Sequence, residues 1–518
     1  MREFPHGFRY SSVTDSAEPG RLADEPGRLA DAGPGPSAHA SPPSEGFRLP
    51  SFRIIQGGMG AGVSGWALAR AVAMRGQLGV VSGTGLDALF ARRLQDGDPT
   101  GRLRRAIEHF PVPGIADEIL RKWFRPGGRE PGEPYKAIKM DGRGADLARQ
   151  RLIVAANFVE VWLAREGHDG LVGVNLLTKI QMPNLPSLYG AMLAGVHVVL
   201  MGAGIPREIP AVLDALAEGR AASIRMEVDG LRPDESPYFT FNPADHGAPA
   251  ITPPKRPAFF PIISSNLLAT MMVRKASGRI DGFVIEGPTA GGHNAPPRGE
   301  LKRNDRGEPI YGERDVVDLK KVADLGLPFW LAGGTGWPDK LRAALDDGAS
   351  GVQVGTLFAY SDESGLDPEL KANVIARALE EQVDIYTDAD ASPTGFPFKV
   401  VRMAGSLSEE GPYLERERVC DLGYLRAAYP KPSGSVGFRC PSEPVDTYVA
   451  RGGDVADTVG RKCLCNALMA NVSVAQLREG GVAELPLLTS GDDLKELGRF
   501  LAGRRHYAAS DVLDHLLG

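Results

Sequence analysis

Cysteine is scarce in this chain, with four in 518 residues. That excludes a secreted scaffold held by dense disulfides. Long hydrophobic runs are missing as well. No apolar stretch reaches the ~18 residues that suggest a membrane-spanning helix. The opening MREFPHGFRYSSVTD lacks the apolar core of a secretory signal. A basic stripe is also absent, and the net charge of −6 offers nucleic acid no reward. These absences predict a cytoplasmic protein with no nucleic-acid or membrane partner.

What is present is ordinary globular composition, 42% hydrophobic and 24% charged. Residues 1–48 are the exception. They are rich in Pro, Gly, Ala and Ser, cannot bury enough apolar surface to offset ordering entropy, and read as a disordered tail. The tail carries EPGRLAD at 18–24 and again at 25–31. Two short copies do not make a solenoid, so the repeat reads as a duplication in a tolerant segment.

From Ser51 onward, short β-branched runs alternate with helix-period segments. The candidate strands are RIIQ (53–56), LGVVSG (78–83), LVGVN (171–175), VHVVLM (196–201), FFPIIS (259–264), GFVIE (282–286), PFWLA (328–332) and GVQVG (351–355). Ser64 is a candidate helix cap. IPREIPAVLDALAEG and PDKLRAALDDG each open near proline and stop at glycine, as helices do. Continuous apolar strands between helices indicate a covered parallel sheet. Eight such units predict a closed (β/α)8 (TIM) barrel over 49–405, with a doubly wound open sheet as the other possibility. Insertions at about 86–150 and 219–257 interrupt the alternation and are candidates for lids or a small substrate domain. Residues 406–518 form a separate segment containing every cysteine, and 494–518 reads as one or two amphipathic helices for packing or a homodimer surface.

A barrel does its chemistry where strands end and loops begin. The residues after these strands are QGGMGAG, GTGLD, GAGIP, GPTAGGHN, GGTGWP and GTLFAYSDES. Glycine gathers at one mouth, and it permits close backbone approach to a planar or phosphorylated ligand. The loops AGGTG (332–336) and VGT (354–356) follow the last two strands, the usual place for a barrel phosphate site. Taken singly, either loop is a plain tight turn.

In order, IIQGGMG, VSGWALARAVAMRGQLGVVSG, GVNLL, VIEGPTAGGH, LAGGTG, DDGASGVQVGTLF and SPTGFPFKV resemble the nitronate monooxygenase (2-nitropropane dioxygenase-like) family of FMN-dependent barrels. The flavin-dependent enoyl-ACP reductases belong to the same superfamily. The resemblance spans roughly 50–405 and implies a flavoprotein oxidoreductase. It implies that Gln56, Gly57, Gly58 and Met59 lie beside the isoalloxazine ring and that Asn175 bonds the flavin. It implies that Gly291 and Gly292 approach the cofactor, and that Gly333, Gly334, Gly355 and Thr356 hold its phosphate. His293 falls at the family's active-site histidine, and Lys399 where many members have arginine. An imidazole with an ordinary pKa near 6.5 serves as a general base at neutral pH. It would take the α-proton of a nitroalkane or hold a formed nitronate, with O2 completing the oxidation. Asn294 and the Pro296–Pro297 pair depart from the family pattern, stiffen the loop, and suggest a substrate other than a small nitroalkane. Glu286 is a second polar candidate. An NAD(P)H-dependent enoyl reductase and a non-catalytic flavin-binding scaffold are the alternatives.

Cys420, Cys440, Cys463 and Cys465 fall within 46 residues, a spacing that chance rarely gives. Four thiolates suit zinc or an iron–sulfur cluster. The spacing lacks the C-x2-C knuckle, so a metal-free group stands beside both.

Overall fold

The computed structural model describes residues 49–140, 146–247 and 251–518. The tail and its repeat lie outside the described residues. Ser51–Gly518 form one compact unit.

All eight expected strands are present: β1 (Ile54–Gln56), β2 (Gly79–Ser82), β3 (Val172–Leu177), β4 (Val198–Gly202), β5 (Ala258–Ile263), β6 (Phe283–Glu286), β7 (Phe329–Ala332) and β8 (Gly351–Val354). Their order around the sheet is β1-β8-β7-β6-β5-β4-β3-β2, every pair parallel. Strand neighbours thus follow chain order, and no switch point exists of the kind an open doubly wound sheet has. The seam between β1 and β2 closes through a parallel bridge, Ile55 to Leu78, with Gln56 N–H donating to the Leu78 carbonyl at 2.9 Å. The closed eight-stranded barrel is therefore the fold. Its strands are buried almost throughout, which explains why they read as unbroken apolar runs rather than as alternating ones.

Helices cover the outside. Trp66–Ala73 follows β1, but its cap position is Gly65, not Ser64. The Ser64 hydroxyl is used elsewhere, accepting from Met59 N–H and donating to the Gly57 carbonyl. Ile209–Ala217 and Pro338–Asp346 lie where proline and glycine bounded them. Within the first insertion, Leu86–Gln95, Arg102–Glu108 and Pro113–Trp123 are helical, ahead of the long helix Leu147–Arg165 that returns to β3. The second insertion carries a two-stranded antiparallel sheet, Ala222–Arg225 with Tyr238–Phe241.

Two later additions shape the mouth. Gly292–His293 forms a short strand antiparallel to Phe398–Val401, which pairs in turn with Ile385–Asp388. The segment after 405 folds onto the barrel. Its helix Ala509–Leu517 buries Val512, Leu513 and Leu516 and packs on Trp66–Ala73 and Pro338–Asp346. No described helix is long and apolar enough to cross a membrane.

Candidate functional site

A cavity of about 460 Å³ opens at the C-terminal ends of the strands. Gly57, Gly58, Met59, Asn175, Gly291, Gly292, His293, Gly333, Gly334, Gly355 and Thr356 all stand on its wall. Gln56 does not, contrary to its expected place beside a ring. Its side chain is fully buried at the barrel seam, where Nε2 donates to Ser64 Oγ at 2.8 Å and Oε1 accepts from Val80 N–H at 2.9 Å. The reason is structural: a buried amide next to a seam with few backbone bonds is consumed by closing it.

The glycines have specific causes. A Cβ at Gly58 would lie 2.3 Å from Asn175 Cβ, and Asn175 Nδ2 donates to the Gly58 carbonyl at 3.0 Å. The backbone of the loop therefore packs directly on the Asn175 side chain of β3. Gly333 and Gly334 have φ of 97° and 67°, the left-handed region that favours glycine. Gly291 packs backbone to backbone on the C-terminal segment, where a Cβ would come within 2.8 Å of Gly491 N.

Three amide oxygens on this wall, from Asn175, Asn294 and Gln353, are buried without a partner. Buried polar atoms are nearly always paired, so this wall is shaped for a ligand with hydrogen-bond donors. An isoalloxazine edge or a ribityl chain offers such donors, and this set of acceptors fits a flavin.

His293 is held on its short strand opposite Phe398, whose ring meets the imidazole edge-on at 4.9 Å. Its Nε2 lies 2.7 Å from Ser392 Oγ, which in turn bonds Thr394 Oγ1 at 2.8 Å. Burial lowers its pKa to about 4, so the ring is uncharged at neutral pH. Glu286, the last residue of β6, also lines the cavity. Among the described residues its carboxyl has no ion pair, and burial alone raises its pKa to about 8. Both side chains retain some exposure, but to the cavity interior, so surrounding protein still sets their titration. No lysine or arginine lines the cavity among the described residues. Lys399 is off the wall, with Nζ on Asp492 Oδ1 at 2.9 Å.

Sequence reasoning missed the contribution of the C-terminal segment. Among the described residues, none from either insertion lines the cavity. Instead Leu425, Leu464, Cys465, Leu468 and Met469 form an apolar flank. A turn at 489–493 wedges between the barrel loops. Thr489 Oγ1 accepts from Gly292 N–H at 2.7 Å, and Thr356 Oγ1 accepts from Gly491 N–H at 3.0 Å. Asp493 Oδ2 accepts from Gly336 N–H at 3.1 Å. A carboxylate thus takes one donor of the loop expected to hold phosphate. Its pKa is raised, first by burial and also by neighbouring Asp492. No local motif marks residues 489–493. The only available signal was glycine following a Thr-Ser pair, which is too common to use.

The four cysteines, all free, border one small cavity beneath this flank. Among the described residues, no group of three or more His, Cys, Asp or Glu side chains could hold a metal ion, so the structure shows no site for either the zinc or the iron–sulfur alternative.

Residues 255–395 match the nitronate monooxygenase family. Among curated relatives, the chain is 30% identical over 138 residues to the (3aS,4S,5R,7aS)-5-hydroxy-7a-methyl-1-oxo-octahydro-1H-indene-4-carboxyl-CoA dehydrogenase of Rhodococcus jostii, covering 26% of this chain and 33% of that protein. It is 34% identical over 97 residues to a probable nitronate monooxygenase of Staphylococcus haemolyticus, covering 18% of this chain and 26% of that one. The chain therefore spans about a third or less of the relatives it matches. A nitroalkane oxidase from Streptomyces ansochromogenes superposes with a TM-score of 0.45 at 16% identity, covering 90% of this chain and 94% of that one.

Proposed function

We propose that this protein is a flavin-dependent oxidoreductase that oxidises a nitronate-type substrate held beside His293, with O2 as the final acceptor. The observation that carries the reading is the glycine-rimmed cavity with three unpartnered amide oxygens and a buried, neutral imidazole, within a segment matching the nitronate monooxygenase family. Asn175, Asn294 and Gln353 would hold the flavin's polar edges, while Gly333, Gly334, Gly355 and Thr356 would receive the phosphate of FMN. The flavin, when bound, supplies the electron acceptor.

The titration of the two cavity groups favours a preformed nitronate over a neutral nitroalkane. An imidazole with a pKa near 4 is a weak base for a C–H proton. It is, however, a good neutral hydrogen-bond partner in a mostly apolar cavity. Ser392 fixes the ring through Nε2, leaving the ring to meet the substrate anion. Glu286, protonated below about pH 8, adds an O–H donor without bringing a negative charge. The apolar flank from the C-terminal segment fits a substrate with a hydrophobic body.

A second reading has one observation in its favour. A protonated carboxyl beside an apolar wall also suits proton delivery to the α-carbon of an activated alkene, in an NAD(P)H-dependent enoyl reduction.

The test is an anaerobic visible spectrum of the purified protein. Bleaching by an alkyl nitronate, with none by NADPH, supports the oxidative reading. Bleaching by NADPH alone rejects it in favour of the reductase. No bleaching by either leaves a flavin-binding scaffold.

A further inference from the structure

The backbone carbonyls of Asp390, Ala391 and Ser392 all accept hydrogen bonds from two successive residues of the C-terminal segment. Arg461 Nη1 donates to the Asp390 and Ser392 carbonyls at 2.8 Å each, and Lys462 N–H donates to the Ala391 carbonyl at 2.8 Å. Arg461 Nε donates to the Asp457 carbonyl at 3.1 Å, which ties the guanidinium back to its own segment. The amides of the same turn are held from the other side. Asp388 Oδ1 accepts from Asp390 N–H at 2.9 Å and from Ala391 N–H at 3.0 Å.

The turn carries the hydroxyl that meets His293. Ser392 is fully buried, and its Oγ lies 2.7 Å from His293 Nε2. Ser392 Oγ also accepts from Thr394 N–H at 3.2 Å and lies 2.8 Å from Thr394 Oγ1, which accepts from Phe396 N–H at 3.4 Å. Both hydroxyl protons find acceptors within this chain of contacts only when Thr394 donates to Ser392 and Ser392 donates to Nε2. His293 then carries its own proton on Nδ1. On the cavity wall, that N–H is a donor for the substrate anion.

We propose that Arg461 is a positioning residue for His293, acting through the carbonyls on either side of Ala391 and so through the Ser392 hydroxyl. The residue type suits the task. A guanidinium presents its donors in a rigid planar fork, whereas an ammonium on a flexible stem does not fix several carbonyls in one geometry. Arg461 lies outside the 255–395 segment that matches the family. The C-terminal segment thus supplies a hold on the histidine as well as an apolar flank. The effect on turnover rests on the reading that His293 meets the substrate, while the hold on the ring does not.

The experiment compares full-length wild type with Arg461→Ala, Ser392→Ala and the double variant. The first readout is nitrogen NMR of the histidine side chains in flavin-free protein, with His293→Gln identifying the signals. Wild type should show His293 as the single Nδ1–H tautomer, and Arg461→Ala a mixture of both tautomers. The second is steady-state kinetics with an alkyl nitronate. In Arg461→Ala, kcat should fall about tenfold with KM little changed. The double variant should fall no further than Ser392→Ala alone, because residues acting through one bond are not additive. Arg461→Lys keeps the charge and stem without the fork, and it carries the same tests if the alanine variant fails to fold. A mixed ring in wild type, an unchanged His293 signal in a folded Arg461 variant, or losses that multiply in the double variant would each overturn the role. If wild type turns over no nitronate, the proposed activity fails, and the NMR comparison still decides whether Arg461 holds the ring.

Discussion

Nε2 of His293 stands 2.7 Å from Oγ of Ser392, a residue 99 positions further along the chain. The pair joins the loop after β6 to the turn before Phe398–Val401. Among the described residues, Ser392→Ala removes the one side-chain hydrogen bond to the ring and frees its orientation. Expect kcat to fall about tenfold with KM little changed, and His293→Ala to fall by about a hundredfold or more. Steady-state kinetics with the nitronate decides it. Equal, negligible losses in both variants would remove His293 from the reaction.

The pH dependence of stability has two arms of opposite sign. His293 has a folded pKa of about 4 against an ordinary 6.5. The unfolded chain binds this proton first, so stability falls as pH drops from 6.5 towards 4. Glu286 has a folded pKa of about 8 against an ordinary 4.5. The folded state keeps this proton after the unfolded chain has lost it, so stability falls as pH rises from 4.5 through 8. Thermal melts across this range should show both arms. Glu286→Gln should flatten the alkaline arm and stabilise the protein near its upper end by on the order of 1 kcal/mol. An unchanged alkaline slope would mean that Glu286 is ionised in the folded protein.

Asp493 competes for the loop assigned to phosphate. Asp493→Asn removes a negative charge while leaving an amide oxygen for Gly336 N–H. Expect FMN to bind about tenfold more tightly than in wild type, with riboflavin unchanged. Equilibrium dialysis of both ligands tests this. A parallel gain for riboflavin would place the phosphate elsewhere.

Gly58 faces Asn175 so closely that a methyl group has no room. Gly58→Ala should cost about 1–3 kcal/mol by overpacking and lower the flavin content of purified protein. Normal flavin content with an unaltered melting temperature would show that the loop gives way.

The barrel was legible because its strands are buried on both faces and so write themselves as short apolar runs. GFVIE, PFWLA and GVQVG gave β6, β7 and β8 with near-correct limits. Glycine after six of the eight strands marked the mouth, and residues of those loops do line the cavity. Gln56 misled because the resemblance says which loop it precedes but not that its amide is spent bonding Ser64 and Val80. Ser64 has the chemistry of a helix cap, but the competing donors and acceptors of the QGGMG loop claim its hydroxyl. The C-terminal flank was illegible for a different reason. Leu425, Leu464 and Met469 meet the barrel only through long-range packing, which no local period encodes.

The turn at Thr489–Asp493 touches the loops after β6, β7 and β8 at once. All eight strands leave the ribosome well before that turn does. Until the turn arrives, the mouth lacks this wall, and a ligand meeting it would find an open groove. The pocket is thus completed among the last events in the synthesis of the polypeptide, and a message cut short before codon 489 would leave it unfinished.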